Sequence, residues 1–379
     1  MLSHIRVIDF TRLLPGPYAT LRLADLGAQV LKIEEPSGDP ARYMSGDIGI
    51  SGFGPVFLAN NRNKRSHVLD LKTTEGREMA WALASTADVV IESFRPGVAD
   101  NLGIGYTQLR EVRPDIVYCS LTGYGQSGPL SEFGGHDLNY MARSGVQSLI
   151  RDTEDKPVIP GMQFADFIGG IVASEAILAA LVERDKTGRG TCLDMSMTHA
   201  LIGLLTNQAL LLGKGVEDGI GVLSGKVVCY HLYPTKDQRS VSIAALEPKF
   251  WQSFCRFFDR PDWISRQMSL AEPENPTFRE VEELFRKYSF AEWVDISEKL
   301  DACIAPVLSL TEALASKLAV SHGAVFTIDS EEWGPLLQVR THAGGFTNEK
   351  SPDDPPPKLG DKQKPRPPKL GDKQKPRRK

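Results

Sequence analysis

Three side chains stand where proton chemistry could be done: His136, Asp166 and Glu247. His136 lies in Gly134-Gly135-His136-Asp137-Leu138-Asn139-Tyr140, after glycines at 123, 125 and 128. A histidine at a glycine-rich turn is free to face a cleft, and an ordinary imidazole pKa of about 6.5 suits proton transfer near neutrality. A surface or packed histidine fits the same segment. Asp166, in Phe164-Ala165-Asp166-Phe167-Ile168-Gly169-Gly170, has apolar flanks that imply partial burial, which raises a carboxyl pKa toward that of a useful base. A helix N-cap, with the side chain accepting backbone N–H bonds, fits it as well, and a helix start can also stabilise a developing oxyanion. Glu247 sits between the mainly apolar run Val241–Leu246 and Pro248. A carboxylate there could fix the tautomer of a catalytic imidazole, or it could simply begin a helix whose first position is Pro248.

A phosphate-bearing ligand needs cations close to such groups. Arg12, Arg62, Lys64, Arg65 and Arg95 all fall in segments that read as loops. No GxGxxG follows the first predicted strand and no GxxxxGK[ST] occurs, so the usual dinucleotide and P-loop cofactors are not supported.

The elements that must position these residues alternate. Residues 5–10 read as a strand, Tyr18–Leu26 as a helix capped at Gly27, and 29–33 as a second strand. Strand 68–71, helix 74–84 and strand 88–91 follow, then a strand at 116–120. Strands alternating with helices imply a parallel sheet covered on both faces, with ligands outside the carboxyl ends of its strands. The loops to watch are therefore 10–17, 34–67, 92–99 and 121–140. Helices are predicted at 164–184 and 194–213. After about 221 the pattern changes to two short antiparallel strands, 227–233 and 239–245, and helices at 248–258, 277–288 and 290–300. The fold class is α/β: a large parallel-sheet domain over 1–220, completed by 309–350, and a small α+β domain over 221–308.

The bulk properties narrow the setting. The chain has 379 residues, 41% hydrophobic and 24% charged, in the ordinary range for a soluble enzyme. Its five cysteines are scattered, which indicates neither a zinc site nor a disulfide framework; a reducing, cytoplasmic location is the expectation. The N-terminus does not read as a signal peptide, and the longest apolar stretches are broken by polar residues, so no membrane span is expected. The net charge of −4 divides into +8 over residues 356–379 and −12 over the rest, which argues against nucleic-acid binding by the fold itself. In that tail the eleven residues 356–366 recur unchanged at 367–377. Such a Pro/Lys-rich stretch buries too little to offset its ordering entropy, so 351–379 is expected to be a disordered basic tail.

Across about residues 4–350 many segments, in order, resemble the class III coenzyme A transferase superfamily, and within it the α-methylacyl-CoA racemases. They are VIDFTRLLPGPYAT, DLGAQVLKIEEP, NRNKRSHVLDLKTTEG, ADVVIESFRPGVADNLGIGY, SLTGYGQSGP, GGHDLNYMARSG, VERDKTGRG, ALEPKFW and LDACIAPVLSL. The resemblance implies catalytic roles for His136, in the GHDxNY motif, for Asp166, and for Glu247, in the (A/G)-x-E-P-x-F motif. Related transferases keep the aspartate as a nucleophile and generally lack this histidine. The resemblance further implies that Arg12, Arg62, Leu71, Phe94, Arg95, Gly135, Asp137, Leu138, Asn139 and Tyr140 grip coenzyme A, which arrives as part of the thioester substrate; no other cofactor is expected. Glu35 departs from the pattern, since some members have an arginine at this place that meets the coenzyme. The end of the chain departs too, where PPPKLG runs into the repeat. A Rossmann-like topology for the large domain and an interlocked homodimer are implied, with the active site between subunits and Glu247 beside a histidine. The expected reaction interconverts (R)- and (S)-2-methylacyl-CoA by moving the C2 proton between two bases through an enolate held by backbone N–H groups at the start of the Asp166 helix. Transfer of CoA between carboxylic acids through Asp166 is the alternative. A reading from another class is a non-catalytic protein that binds nucleic acid through the basic tail.

Overall fold

The structure is a computed structural model that describes residues 1–44, 54–152, 154–216, 220–342 and 353–361. Six parallel strands form its main sheet: β1 (Arg6–Asp9), β2 (Gln29–Glu34), β3 (Lys64–Val68), β4 (Val89–Glu92), β5 (Val117–Thr122) and β6 (Thr191–Ser196). Their order is β3-β2-β1-β4-β5-β6, so the chain reverses direction across the sheet between β1 and β4. That doubly wound order creates a crevice at the carboxyl ends of β1 and β4. Period-2 alternation covers both faces. Val7, Val89, Ile91 and Val117 join one buried cluster, while Ile8, Val90, Ile116 and Tyr118 join the other.

Two strands differ from the sequence-based expectation. The strand before the Thr74–Ala84 helix is Lys64–Val68, upstream of the expected 68–71, which puts Lys64 and Arg65 in the sheet rather than in a loop. The expected helix over 194–213 begins instead with β6, followed by helices Met197–Ile202 and Thr206–Leu212 separated by a 3₁₀ turn at Gly203–Leu205. The chain changes unit at that break. Its first compact unit ends at Leu204 and resumes at Val320; the second is Leu205–Ala319, against the expected 221–308.

The Phe164–Thr187 helix is long and apolar enough by composition to cross a membrane. Here Ala165, Ala173, Ile177 and Leu181 are buried in the first unit's core, and Gly170 faces the Pro15–Asp25 helix. A Cβ on Gly170 would come within 2.7 Å of the Pro15 carbonyl, so glycine sets how closely the two helices approach. The first unit also holds an antiparallel hairpin, β10 (Val325–Ser330) and β11 (Gly334–Val339), which the sequence pattern did not reveal.

The second unit has a three-stranded antiparallel sheet, β7 (Tyr230–Pro234), β8 (Ser240–Ala244) and β9 (Ile304–Pro306). Its core is aromatic: Trp251, Trp263, Trp293, Phe254, Phe285 and Tyr233 are buried, with Phe285 and Trp293 stacked at 4.3 Å.

The start of the tail is a correction. Residues 353–361 are docked on the first unit, with Pro356, Pro357 and Gly360 buried. Arg42 donates to the Pro357 carbonyl, the Ser66 amide donates to Asp361, and the Gly360 amide donates to the Ser66 hydroxyl. Backbone hydrogen bonds from a proline-rich segment compensate here for the apolar surface it lacks. Residues 362–379, which contain most of the repeat, lie outside the described residues.

Candidate active site

The loops that follow β1 to β4 enclose a cavity of about 200 Å³. Its walls bring together three residues implied as ligand contacts, Arg12, Leu71 and Phe94, with Lys32, Asp39 and Lys72. Glu35 lines it too, so the departure at that position puts a negative charge on the wall. Phe94 is carried in by the loop after β4, where its amide donates 2.7 Å to the buried Glu92 carboxylate. Burial pushes Glu92 up to about 7; hydrogen bonds from Ser120 and the Phe94 amide oppose the rise, and Asp100 and Asp194 add to it.

Beneath the cavity lies a group of compensated charges. Asp9 accepts from the Thr11 amide and from the hydroxyls of Thr11 and Thr20, and stands 3.6 Å from Lys64. Burial opposes its charge, but Lys32, Lys64 and the hydroxyls outweigh burial and hold the carboxyl below its ordinary range. Burial lowers Lys64 to about 7 despite Asp9. The Lys64 ammonium also donates to the Pro17 carbonyl and to Asn61.

Arg62 is placed differently from the ligand-facing cation implied by resemblance. It is 1% exposed, and its guanidinium is bonded to both Asp25 oxygens, to the Gln338 side chain and to the Val339 carbonyl. Those bonds tie the chain before β3 to the hairpin and leave Arg62 a structural role in this conformation. Arg65 is exposed and paired with Asp354 and Asp361 of the docked tail.

Arg95 leads from the cavity to the acid–base residues. Its Nη2 lies 3.6 Å from where a Cβ on Gly134 would stand, so the loops after β4 and β5 adjoin. The next residues fold back on themselves: the Tyr140 hydroxyl donates to the Gly135 carbonyl at 2.5 Å, and Asn139 accepts from the His136 amide at 3.0 Å. A side chain at position 135 would collide with the Tyr140 ring, 2.7 Å away, so glycine is required there. This places an exposed His136 just before the Asp137–Ser144 helix, beside an exposed Leu138.

Asp137 joins this segment to Asp166. One of its oxygens accepts from the amides of Ala165 and Asp166, at 2.7 and 3.1 Å. Asp166 is thus not the N-cap of its helix; Gln163 is, and Asp166 is the third helical residue. The backbone donors expected to hold an enolate are already engaged. Besides the two on Asp137, the Phe164 amide donates to Met162 and the Phe167 amide to Gln163. The Asp166 carboxyl is half-buried and makes no hydrogen bond or ion pair among the described residues. Burial, then the charge of Asp137, pushes it up to about 7.

Glu247 belongs to the second unit, before the Pro248–Phe257 helix. Its carbonyl accepts from the amides of Phe250 and Trp251, and its exposed carboxylate makes no capping bond. The helix-start reading describes its backbone and leaves the side chain free. Sequence reasoning missed Lys72, Asp39 and Glu92. Lys72 could have been noticed, since it follows a predicted strand on its carboxyl side; the other two act through contacts with distant residues.

Comparison with known proteins gives the family and the fold. The model of CoA-transferase family III matches residues 2–363. Human succinyl-CoA:glutarate CoA-transferase is 30% identical over 95% of this chain and 83% of its own length. Human alpha-methylacyl-CoA racemase is 32% identical, over 88% of this chain and 85% of its own. A crystal structure of a CAIB/BAIF family protein from Brucella suis superposes with a TM-score of 0.81 at 27% identity, covering 95% of this chain and 96% of that one.

Proposed function

The chain belongs to CoA-transferase family III, and on that premise we propose that it is an acyl-CoA racemase acting on 2-methyl-branched thioesters. The observation that carries this reading is the state of Asp166. Its carboxyl has no hydrogen-bond or ion-pair partner among the described residues, is pushed up to about 7, and lies on a helix start that is stapled through Asp137 to the segment that bears His136. A carboxyl that is protonated in part of the molecules at neutral pH suits an acid that must also serve as a base.

In the proposed reaction one of His136 and Asp166 takes the proton from C2. The C–H electron pair moves into the thioester as an enolate, and the conjugate acid on the opposite face protonates C2 to give the other epimer. The bases exchange roles with the hand of the substrate, and no electrons are gained or lost. Coenzyme A, as part of the substrate, lies along the cavity with Arg12, Leu71 and Phe94, and with Arg95 towards the thioester; these remote contacts help to orient C2. Glu247 orients the imidazole of His136. A homodimer completes the site in this reading, and exposed Ile171, Val182, Ile202 and Leu204 on the first unit supply apolar surface for it. The setting is cytoplasmic.

The second reading is CoA transfer, favoured by the same free carboxylate oxygen, which could attack a thioester. Incubation of a 2-methylacyl-CoA in D₂O without any carboxylic acid separates the two. Racemisation gives deuterium at C2 and leaves Asp166 unmodified. An adduct on Asp166 that forms from the acyl-CoA alone, is trapped with hydroxylamine and seen by mass spectrometry, and is discharged by an added carboxylic acid, all without exchange at C2, would establish the transferase instead.

A further inference from the structure

Arg12 is an exposed cation on the cavity wall with no hydrogen-bond partner among the described residues, yet the backbone on both sides of it is fixed from below. On one side, the Thr11 carbonyl accepts from the Lys32 ammonium at 2.7 Å, and the Thr11 amide and hydroxyl donate to Asp9. On the other, the Leu13 amide donates to both oxygens of Asp39, at 3.1 and 3.2 Å. Lys32 and Asp39 are themselves paired at 2.9 Å and are 0% and 3% exposed. Asp39 is held in turn, its amide donating to Glu34 and one oxygen accepting from the Ala41 amide.

Leu13 shows why such fixing is needed. Its φ of +67° puts a branched residue in the left-handed region, which costs on the order of 1 kcal/mol or more and persists only where the surroundings enforce it. A relaxed Leu13 would turn its amide away from Asp39 and carry Arg12 off the wall. Burying an ammonium and a carboxylate is also a poor way to gain stability alone, since desolvation offsets much of their attraction. The strain and the buried pair both have a use if their product is the direction of Arg12.

We propose that Lys32 and Asp39 form a positioning pair that presents Arg12 to an anionic, phosphate-bearing part of the ligand. The inference rests on the acyl-CoA reading for the identity of that ligand. The pair acts on binding and not on the proton, so its loss should raise KM more than it lowers kcat.

The test is a double-mutant cycle read by calorimetric titration with free CoA on the full chain, with KM and kcat for a 2-methylacyl-CoA alongside. Loss of one charged contact to phosphate predicts about tenfold weaker CoA binding for Arg12→Ala. Asp39→Asn should weaken binding to a similar extent, and the double variant should be hardly weaker than either alone, because one effect passes through the other. Adding Leu13→Gly to Asp39→Asn should recover part of the loss, since glycine adopts positive φ without the clamp. If Asp39→Asn does not fold, as judged by its melting curve, the pair is replaced together as Lys32→Met with Asp39→Leu and read in the same cycle. Additive losses of Asp39 and Arg12, or a lowered kcat at unchanged KM, overturn the positioning pair. Absence of any heat from CoA with the wild-type protein overturns the acyl-CoA reading instead.

Discussion

Asp9, at the end of β1, is wholly buried and held below the ordinary carboxylate range, whereas Asp166, at the start of a long helix, is only half-buried and is pushed up to about 7. Burial pushes both upward. Asp9 has Lys32 and Lys64 near it and three hydrogen-bond donors on it, so the outcome is reversed. Asp166 has no donor among the described residues and a second carboxylate, Asp137, nearby. The comparison separates two uses of a buried carboxylate. Around β1 the Asp9 carboxylate is compensated and its network holds a loop in shape; at Asp166 compensation is withheld, and the carboxyl proton becomes mobile in the physiological range.

The largest expected effect tests the reactive side. Asp166→Ala and His136→Ala should each lower racemisation by roughly two to four orders of magnitude, the usual worth of a positioned acid or base. The exchange of deuterium into C2 should fall with it. Glu247→Gln should be milder and should move the pH–rate profile, because it alters the imidazole and removes neither base. Near-normal turnover by Asp166→Ala on a good substrate would make its raised pKa a mere consequence of its surroundings and end the contrast with Asp9.

The compensated side is tested next. Asp9→Asn removes the carboxylate from between two buried ammonium groups, and breaking a buried ion pair on one side costs about 3–5 kcal/mol. The sign with pH follows from its lowered pKa: the stability Asp9 contributes is present above its ordinary pKa of 3.8 and is lost as pH falls through the lower folded value. Chemical denaturation at pH 7 should therefore show a large loss in the variant, and a smaller one in strong acid. Equal stability at pH 7 would mean that the network is not holding the loop.

How much of this contrast could be read from the sequence depends on where each partner comes from. The turn before His136 and the partial burial of Asp166 were legible because the glycines and apolar flanks that produce them are local. The presence of β1, β2 and β4 was legible for the same reason, since each carries its own apolar run. β3 was not: Lys64-Arg65-Ser66-His67 reads as a charged loop until Asp9 and Asn61, from other elements, are seen to satisfy Lys64. Arg62 looked like a ligand cation because its partner, Asp25, lies 37 positions upstream. The docked start of the tail was hidden likewise, since Pro357 and Gly360 bond to Arg42 and Ser66, some 300 positions away. Tertiary compensation is invisible to local pattern, and it is what sets Asp9 apart from Asp166.

The smallest expected effect is the most direct measure of the difference. Asp166→Asn keeps the shape of the side chain and removes its ionisation. Because the folded pKa of Asp166, about 7, stands above its ordinary 3.8, the wild-type protein loses stability as pH rises between these values, while the asparagine variant does not. The full shift would correspond to about 4 kcal/mol, and partial exposure to solvent reduces it to an expected gain of about 1–2 kcal/mol at pH 8. At pH 4 the two proteins should melt alike, since the carboxyl is then largely protonated in the folded state and about half protonated in the unfolded one. Melting curves at pH 4, 6 and 8 should show the gap open steadily in favour of the variant, which has meanwhile lost its activity. A site tuned for proton transfer is a site that folding would prefer to see neutral. Asparagine at 166 that melts lower than wild type at pH 8 would show instead that the carboxylate has a stabilising partner in solution, and the two regions would then use their buried charges in the same way.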